Sequence, residues 1–181
     1  MQIVPTRLPG PILLAPRVHA DARGFFAETY RQSTWSEAGV DVDFVQDNHS
    51  RSRRGTLRGM HFQTDPGQAK LIRCARGRIL DVVVDLRRSS PTFGEWETAE
   101  LDDESMRQLF VPVGFAHGFL VLSDVADVAY KCSSYFDGAT EAGIAFDDPG
   151  VGIEWPDMEL IVSERDRTAP RLAEIADGLP F

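Results

Sequence analysis

The chain has 181 residues, the size of one ordinary domain, and two compact domains are not expected from it. Hydrophobic residues make up 43% and charged residues 26%, a globular balance that excludes disordered, collagenous and fibrous chains. With 28 acidic against 19 basic residues the formal net charge is −9, which argues against general nucleic-acid binding, because that function rests on a positive footprint. No apolar run reaches the roughly 18 residues of a membrane-crossing helix. The longest patches, 79–84 and 115–122, are interrupted by Asp81 and His117. The N-terminus lacks the basic and apolar regions of a secretory leader, so a cytoplasmic protein with no membrane partner is expected. Cys74 and Cys132 are too few for a disulfide framework, and no Cys-x-x-Cys pair is present for zinc. A chain of this length buries about 70% of its unfolded surface and needs neither staple nor metal to hold a core.

Turn chemistry divides the chain into short strands. From the N-terminus, a strand over 24–30 is followed by Thr34-Trp-Ser-Glu, a capping box that starts a short helix ending at Gly39. Further strands are expected over 43–49, 56–63, 69–75, 78–86, 96–101, 108–111, 119–122, 127–133 and 143–146. Asp-Pro-Gly, Ala-Arg-Gly, Ser-Ser-Pro and Asp-Asp-Pro-Gly punctuate them. Pro170 opens a C-terminal helix over 171–176 that Gly178 ends. Many short strands at near-regular spacing indicate an all-β sandwich or barrel, in a single domain over 1–181. Arg51, Arg53, Arg54 and Arg58 crowd together without an intervening acid, and a solvated basic loop is expected over 51–54.

In the strand over 78–86, Leu80, Val82, Val84 and Leu86 share one face while Ile79, Asp81, Val83 and Asp85 share the other. Two acids alternating with apolar residues either line a polar pocket or face solvent. The exterior reading is preferred because acids are rarely buried unpaired; either acid could instead meet an arginine such as Arg73. The histidines His19, His49, His61 and His117 include no His-x-His pair, so a zinc or iron site is not expected. No Gly-x-Ser-x-Gly elbow, phosphate-binding loop or dinucleotide fingerprint occurs.

The strand Thr56-Leu-Arg-Gly-Met-His-Phe-Gln carries two cation-forming residues inside an apolar run. An Asp-Pro-Gly turn after it would lay the next strand antiparallel and bring Lys70 near His61. Strict alternation puts Arg58 and His61 on opposite faces. Gly59 offers a bulge that would bring them together.

These residues resemble the dTDP-4-dehydrorhamnose 3,5-epimerase family. The resemblance rests on Asp21-Ala-Arg-Gly-Phe-Phe-Ala-Glu, Gln46-Asp-Asn-His-Ser, Leu57-Arg-Gly-Met-His-Phe-Gln and Gln68-Ala-Lys-Leu-Ile-Arg. It continues through Asp81-Val-Val-Val-Asp-Leu-Arg, Ser90-Pro-Thr-Phe-Gly-Glu-Trp, Pro112-Val-Gly-Phe-Ala-His-Gly-Phe, Tyr130-Lys-Cys, Trp155-Pro and Ser163-Glu-Arg-Asp. It implies a cupin-type double-stranded β-helix (jelly roll) with short peripheral helices, a homodimer, and no metal or organic cofactor. The implied reaction inverts carbons 3 and 5 of dTDP-4-dehydro-6-deoxy-D-glucose, in dTDP-L-rhamnose or related deoxysugar biosynthesis, by removing protons next to a ketone.

The same resemblance implies His61 as base, Asp166 as its orienting carboxylate, Lys70 as the cation at the enolate oxygen and Tyr130 as the acid on the opposite face. It implies that Arg23, Gln46, Asn48 and Arg58 contact pyrophosphate, base or sugar. Phe26 would stack on thymine and Glu28 bond to it, with Arg23 and Phe26 reaching the neighbouring subunit's site. His117 lines the family's pocket, although the residues alone leave a structural role equally open.

One departure stands out. Many members have two adjacent tyrosines where this chain has Tyr135-Phe136. The missing hydroxyl leaves a one-carbon epimerase as the alternative, with a catalytically silent nucleotide-sugar binding protein or a metal cupin further behind.

Overall fold

A computed structural model of the chain describes residues 2–181. Strands are its main regular structure. One sheet runs in the order β1 (Gln2–Val4), β2 (Ile12–Ala15), β10 (Gln108–Val111), β7 (Lys70–Arg76), β12 (Val125–Cys132) and β5 (Gln46–Arg53). The other runs β13 (Glu141–Gly143), β6 (Thr56–Gln63), β11 (Phe115–Val121), β8 (Arg78–Asp85) and β9 (Trp96–Asp102), and β14 (Ile161–Val162) joins β6 in parallel. Every other pairing is antiparallel. A separate hairpin, β3 (Val18–Asp21) with β4 (Gly24–Ala27), belongs to neither sheet. The helices α1 (Gln32–Glu37), α2 (Glu164–Arg167) and α3 (Leu172–Ile175) are short and peripheral. The architecture is the expected all-β cupin type.

Burial explains why so few strands alternate cleanly. Between the sheets lie Ile72, Cys74, Ile79, Val83, Leu101, Phe119 and Val128. On the other face of β8 and β11, Val82, Val84 and Ala116 pack with Met60 and Phe62 of β6 and with Ile144, Val151, Leu172 and Leu179 from the C-terminal segment. That segment covers the sheet, so every residue of β11 is buried. A third cluster seats Trp35 of α1 against Leu14, Leu71 and Phe110.

The two faces of β8 divide as the alternation predicts, but the exterior reading of its acids is wrong. Asp81 and Asp85 are both completely buried. Neither meets Arg73: Asp81 pairs with His117, and Asp85 with Arg87. The solvated loop over 51–54 is also corrected, since residues through Arg53 belong to β5 and Arg51 grips Asp127 at 2.6 and 2.7 Å. The first helix starts at Gln32, so Thr34 lies inside it and caps nothing. The strands β6 and β7 do not form a hairpin, because the connection through 64–69 carries the chain from one sheet to the other.

Asp85 has an architectural task. Its carboxylate accepts from the backbone N–H and guanidinium of Arg87 and from the hydroxyls of Ser90 and Thr92, at 2.6–2.9 Å. Arg87 also lies over the Phe115 ring and donates to the Pro9 carbonyl, so one buried acid ties three segments. Burial alone would raise the Asp85 pKa, but these donors more than offset it and hold the carboxyl at about 2. The ionised form is therefore favoured by folding. Its contribution is full above the unfolded value of 3.8 and is lost as pH falls towards 2. Denaturant titrations at pH 6 and pH 3 should show Asp85→Asn to be less stable than the parent at pH 6. The gap should narrow by about 1–2 kcal/mol on acidification.

Candidate active site

The site forms where β6 and β11 meet. Gly59 has φ +143°, and a Cβ on it would lie 2.5 Å from the Gly118 Cα, so only glycine allows this approach. The register shifts there: His61 stands opposite His117, whereas Arg58 stands opposite Phe119. Three steps along β6 thus match two along β11. This is the extra residue of a bulge, and it puts Arg58 and His61 on the same side as predicted. Both line a cavity of about 510 Å³ with Lys70, His117, Tyr130 and Asp166.

Lys70 and Tyr130 come from the opposite sheet. Lys70 begins β7 and Tyr130 lies on β12, next to it in the same sheet. Lys70 therefore reaches the cavity of His61 across the gap between the sheets, not along a hairpin. The β14–α2 connection supplies the last member. Ser163 caps α2 by accepting the Asp166 N–H at 3.2 Å, which fixes the short turn carrying Asp166.

The Asp166 carboxylate is 2.7 Å from His61 Nε2 through one oxygen and accepts the Gly59 N–H at 3.4 Å through the other. Burial works to raise its pKa, yet the His61 ring, the Gly59 N–H and the Ser163 side chain outweigh that and hold it below the ordinary carboxylate value. An ionised Asp166 requires a hydrogen on His61 Nε2, so Nδ1 is the nitrogen left to take a proton. Burial pushes the Tyr130 phenol upward, and a bond to Asn48 opposes it in part. The phenol stays protonated at neutral pH and can serve as an acid. An imidazole with its carboxylate, a lysine and a phenol thus share one cavity, a set suited to moving a proton next to a carbonyl.

Other expected ligand residues lie apart. Asn48 and Glu28 line a separate cavity of about 590 Å³, which Tyr130 also borders. Within the chain, Gln46 donates to Asn48 at 3.1 Å and accepts the Phe136 N–H at 3.0 Å. Arg23 is held by Asp21, and Glu28 by Arg31. Phe26 is 71% exposed on the free hairpin. His117 does line the main cavity, fixed by Asp81 at 2.9 and 3.0 Å. Among the lining residues not expected from the sequence are Arg165, whose neighbour Asp166 was the visible signal, and Ser50.

Residues 5–174 match the model of the dTDP-4-dehydrorhamnose 3,5-epimerase family. The chain belongs to that family. It is 49% identical to the dTDP-4-dehydrorhamnose 3,5-epimerase of Methanothermobacter thermautotrophicus, over 96% of this chain and 95% of that one. It is 42% identical to the dTDP-4-dehydrorhamnose 3-epimerase of Streptomyces niveus, over 98% and 87%. Among solved structures it is similar to the dTDP-6-deoxy-D-glucose-3,5-epimerase of Legionella pneumophila in complex with dTDP-4-keto-L-rhamnose. The TM-score is 0.96 and the identity 42%, over 99% and 97% of the two chains.

Phe136 is 56% exposed and outside the lining of the His61 cavity. Tyr135 is exposed as well. The upward push on Tyr130 can be read directly. In an alkaline absorbance titration, the phenolate step lost on Tyr130→Phe should have its midpoint above the ordinary tyrosine value of 10. A lost step at or below 10 would contradict the burial argument.

Proposed function

We propose that this protein converts dTDP-4-dehydro-6-deoxy-D-glucose to dTDP-4-dehydro-L-rhamnose by inverting carbons 3 and 5. The observation that carries the reading is the His61–Asp166 pair sharing a cavity with Lys70 and Tyr130 from the facing sheet. The ketone at carbon 4 acidifies the hydrogens on both neighbouring carbons. His61 Nδ1 takes one of them, and the C–H electron pair moves into an enolate whose negative oxygen Lys70 stabilises. Tyr130 delivers a proton to the opposite face of the same carbon, the enolate collapses back to the ketone, and the configuration inverts. Solvent then reprotonates the phenolate and accepts the proton from the imidazolium, and the sequence repeats at the other carbon.

Arg58 at the cavity suits the diphosphate, because its planar fork binds phosphate oxygens in pairs. The free hairpin supports a homodimer. A two-stranded ribbon is marginal by itself, and this one exposes Phe25 and Phe26. In a dimer Arg23 and Phe26 would complete the neighbouring site, with Phe26 against thymine and Glu28, Gln46 and Asn48 as further ligand contacts. The cytoplasm, where sugar nucleotides are made, is the compartment that fits such a substrate. A one-carbon epimerase is the second reading, favoured by Phe136 and by the similarity to the Streptomyces niveus 3-epimerase.

Proton NMR of the 4-keto sugar nucleotide in heavy water separates these readings by showing which carbons exchange. His61→Asn should lower exchange at both carbons by about 10²–10⁴-fold. Tyr130→Phe should still place deuterium in recovered substrate while inverted product falls sharply. Wild-type turnover by either variant would remove that residue from its role. For the diphosphate, calorimetry with dTDP alone should show Arg58→Ala binding more weakly by roughly 1.5–3 kcal/mol. Unchanged affinity would place Arg58 outside the binding site.

A further inference from the structure

The two buried acids of β8 differ in a way that points to a task for one of them. Asp85 accepts from Arg87, Ser90 and Thr92, and these donors use both of its oxygens. Asp81 is just as buried, but among the described residues its only side-chain partner is His117, whose Nε2 lies 2.9 and 3.0 Å from its two oxygens. An ionised carboxylate has room for about four hydrogen bonds, so Asp81 keeps most of its charge uncompensated by contact. A buried ionic group held so sparsely is a poor stabiliser of a fold, since apolar packing would serve as well or better.

Its placement gives the charge a use. On β8 the residue opposite His117 is Val83, and Asp81 is two positions further along the same face, the diagonal neighbour. That face looks between the sheets, towards the cavity where Lys70 enters from β7. We propose that Asp81 is a positioning residue: it fixes His117 through Nε2 and is the counter-charge that keeps Lys70 an ammonium beside the reacting sugar. This rests on the reading of Lys70 as the cation at the enolate oxygen. The inference adds what lets a lysine with no ion-pair partner among the described residues stay charged there.

The electrostatics run in the same direction. Burial drives the Lys70 ammonium below its ordinary value, while the negative ends of Cys132, Glu141 and Asp81 oppose it. Cys132 is pushed upward by its own burial and is a neutral thiol at working pH, which leaves the two carboxylates as the real counter-charges. Glu141 is already engaged by Arg165 at 2.6 Å. The remaining groups around Lys70 do not supply the missing negative charge. His61 and Arg58 of β6, and His117 of β11, are basic, the phenol of Tyr130 is protonated, and Asp166 is committed to His61. Asp81 itself is pushed upward by burial, and His117 and Lys70 oppose that push, so the Asp81 and Lys70 charges support one another.

The test separates charge from shape. Asp81→Asn keeps the size and an oxygen for the His117 N–H but removes the charge. In protein labelled with nitrogen-15 at lysine, the Lys70 resonance, assigned by its loss in Lys70→Met, should titrate about one unit lower in Asp81→Asn than in the parent. With the 4-keto sugar nucleotide, kcat should fall by roughly 10- to 100-fold with KM little changed. The alkaline limb of kcat/KM should move to lower pH, because a less supported ammonium loses its proton sooner. An unmoved Lys70 titration and pH profile would overturn the proposal. Should the variant not fold, carbon-13 spectra of aspartate-labelled parent protein decide instead. Asp81 must be ionised at the pH optimum, and a protonated Asp81 there overturns the proposal. The lysine titration needs no substrate, so it stands even if the parent fails to exchange the sugar protons, a failure that would count against the proposed reaction alone.

Discussion

Gly59 and Gly118 allow two backbones to approach more closely than any side chain permits, and the site depends on that contact. A Cβ on Gly118 would in turn lie 2.6 Å from the Met60 sulfur and 2.8 Å from the Arg58 carbonyl. The tight crossing absorbs one residue of β6 and turns Arg58 to the side His61 already occupies. Without the bulge, period-two alternation would aim one of them at the outer core beside Met60 and Phe62, where a charge has no partner. The same bulge presents the Gly59 N–H to Asp166, so the backbone irregularity also helps hold the carboxylate behind the imidazole. Geometry at one crossing thus fixes three functional groups together.

The C-terminal segment serves packing and chemistry at once. Leu172 and Leu179 cover the outer face of the second sheet, and the chain just before them delivers β14 and α2 to the edge of β6. Asp148 anchors this region by accepting the Leu172 N–H at 2.7 Å, which ties the loop after β13 to the start of α3. Because Asp166 sits between β14 and Leu172, burial of apolar surface on either side supports the position that its bonds to His61 and Gly59 fix. Lys70 and Tyr130 are placed from the other side by the ladder of β7 with β12. His61 and Tyr130 therefore belong to different sheets and meet at one cavity, the placement that the proposed inversion of a carbon needs.

How much of this was readable from the sequence follows from where the information lies. Strands over 56–63 and 108–111 are legible to the residue because their composition and flanking turns agree with their pairing. The strands β1, β2, β3 and β14 are not, since each has only two to four residues and exists by pairing with a partner rather than by its own pattern. Alternation in β8 correctly separates its faces. What covers each face is decided by strands and loops far along the chain, which is why Asp81 and Asp85 read as surface acids. The Asp-Pro-Gly turn announces a reversal without saying which sheet receives the next strand. In the site, the bulge at Gly59 was legible, whereas the His117–Asp81 pair was not, because its two members are joined only by the register of β8 with β11.

That pair also bears on how a chain with formal charge −9 accommodates an anionic nucleotide. Arg58, Lys70 and Arg165 converge at the cavity, and the carboxylates nearby are each committed: Asp166 to His61, Glu141 to Arg165, Asp81 to His117. Each of these acids is therefore paired with a basic group of the chain, whereas Arg58 and Lys70 line the cavity with no ion-pair partner among the described residues. A cleft walled by apolar residues such as Leu57, Phe119 and Ile161 concentrates that local field more than the overall charge can dilute it. On the proposed reading, setting three acids behind His61, His117 and Arg165 leaves Arg58 and Lys70 to meet the charges of a diphosphate sugar.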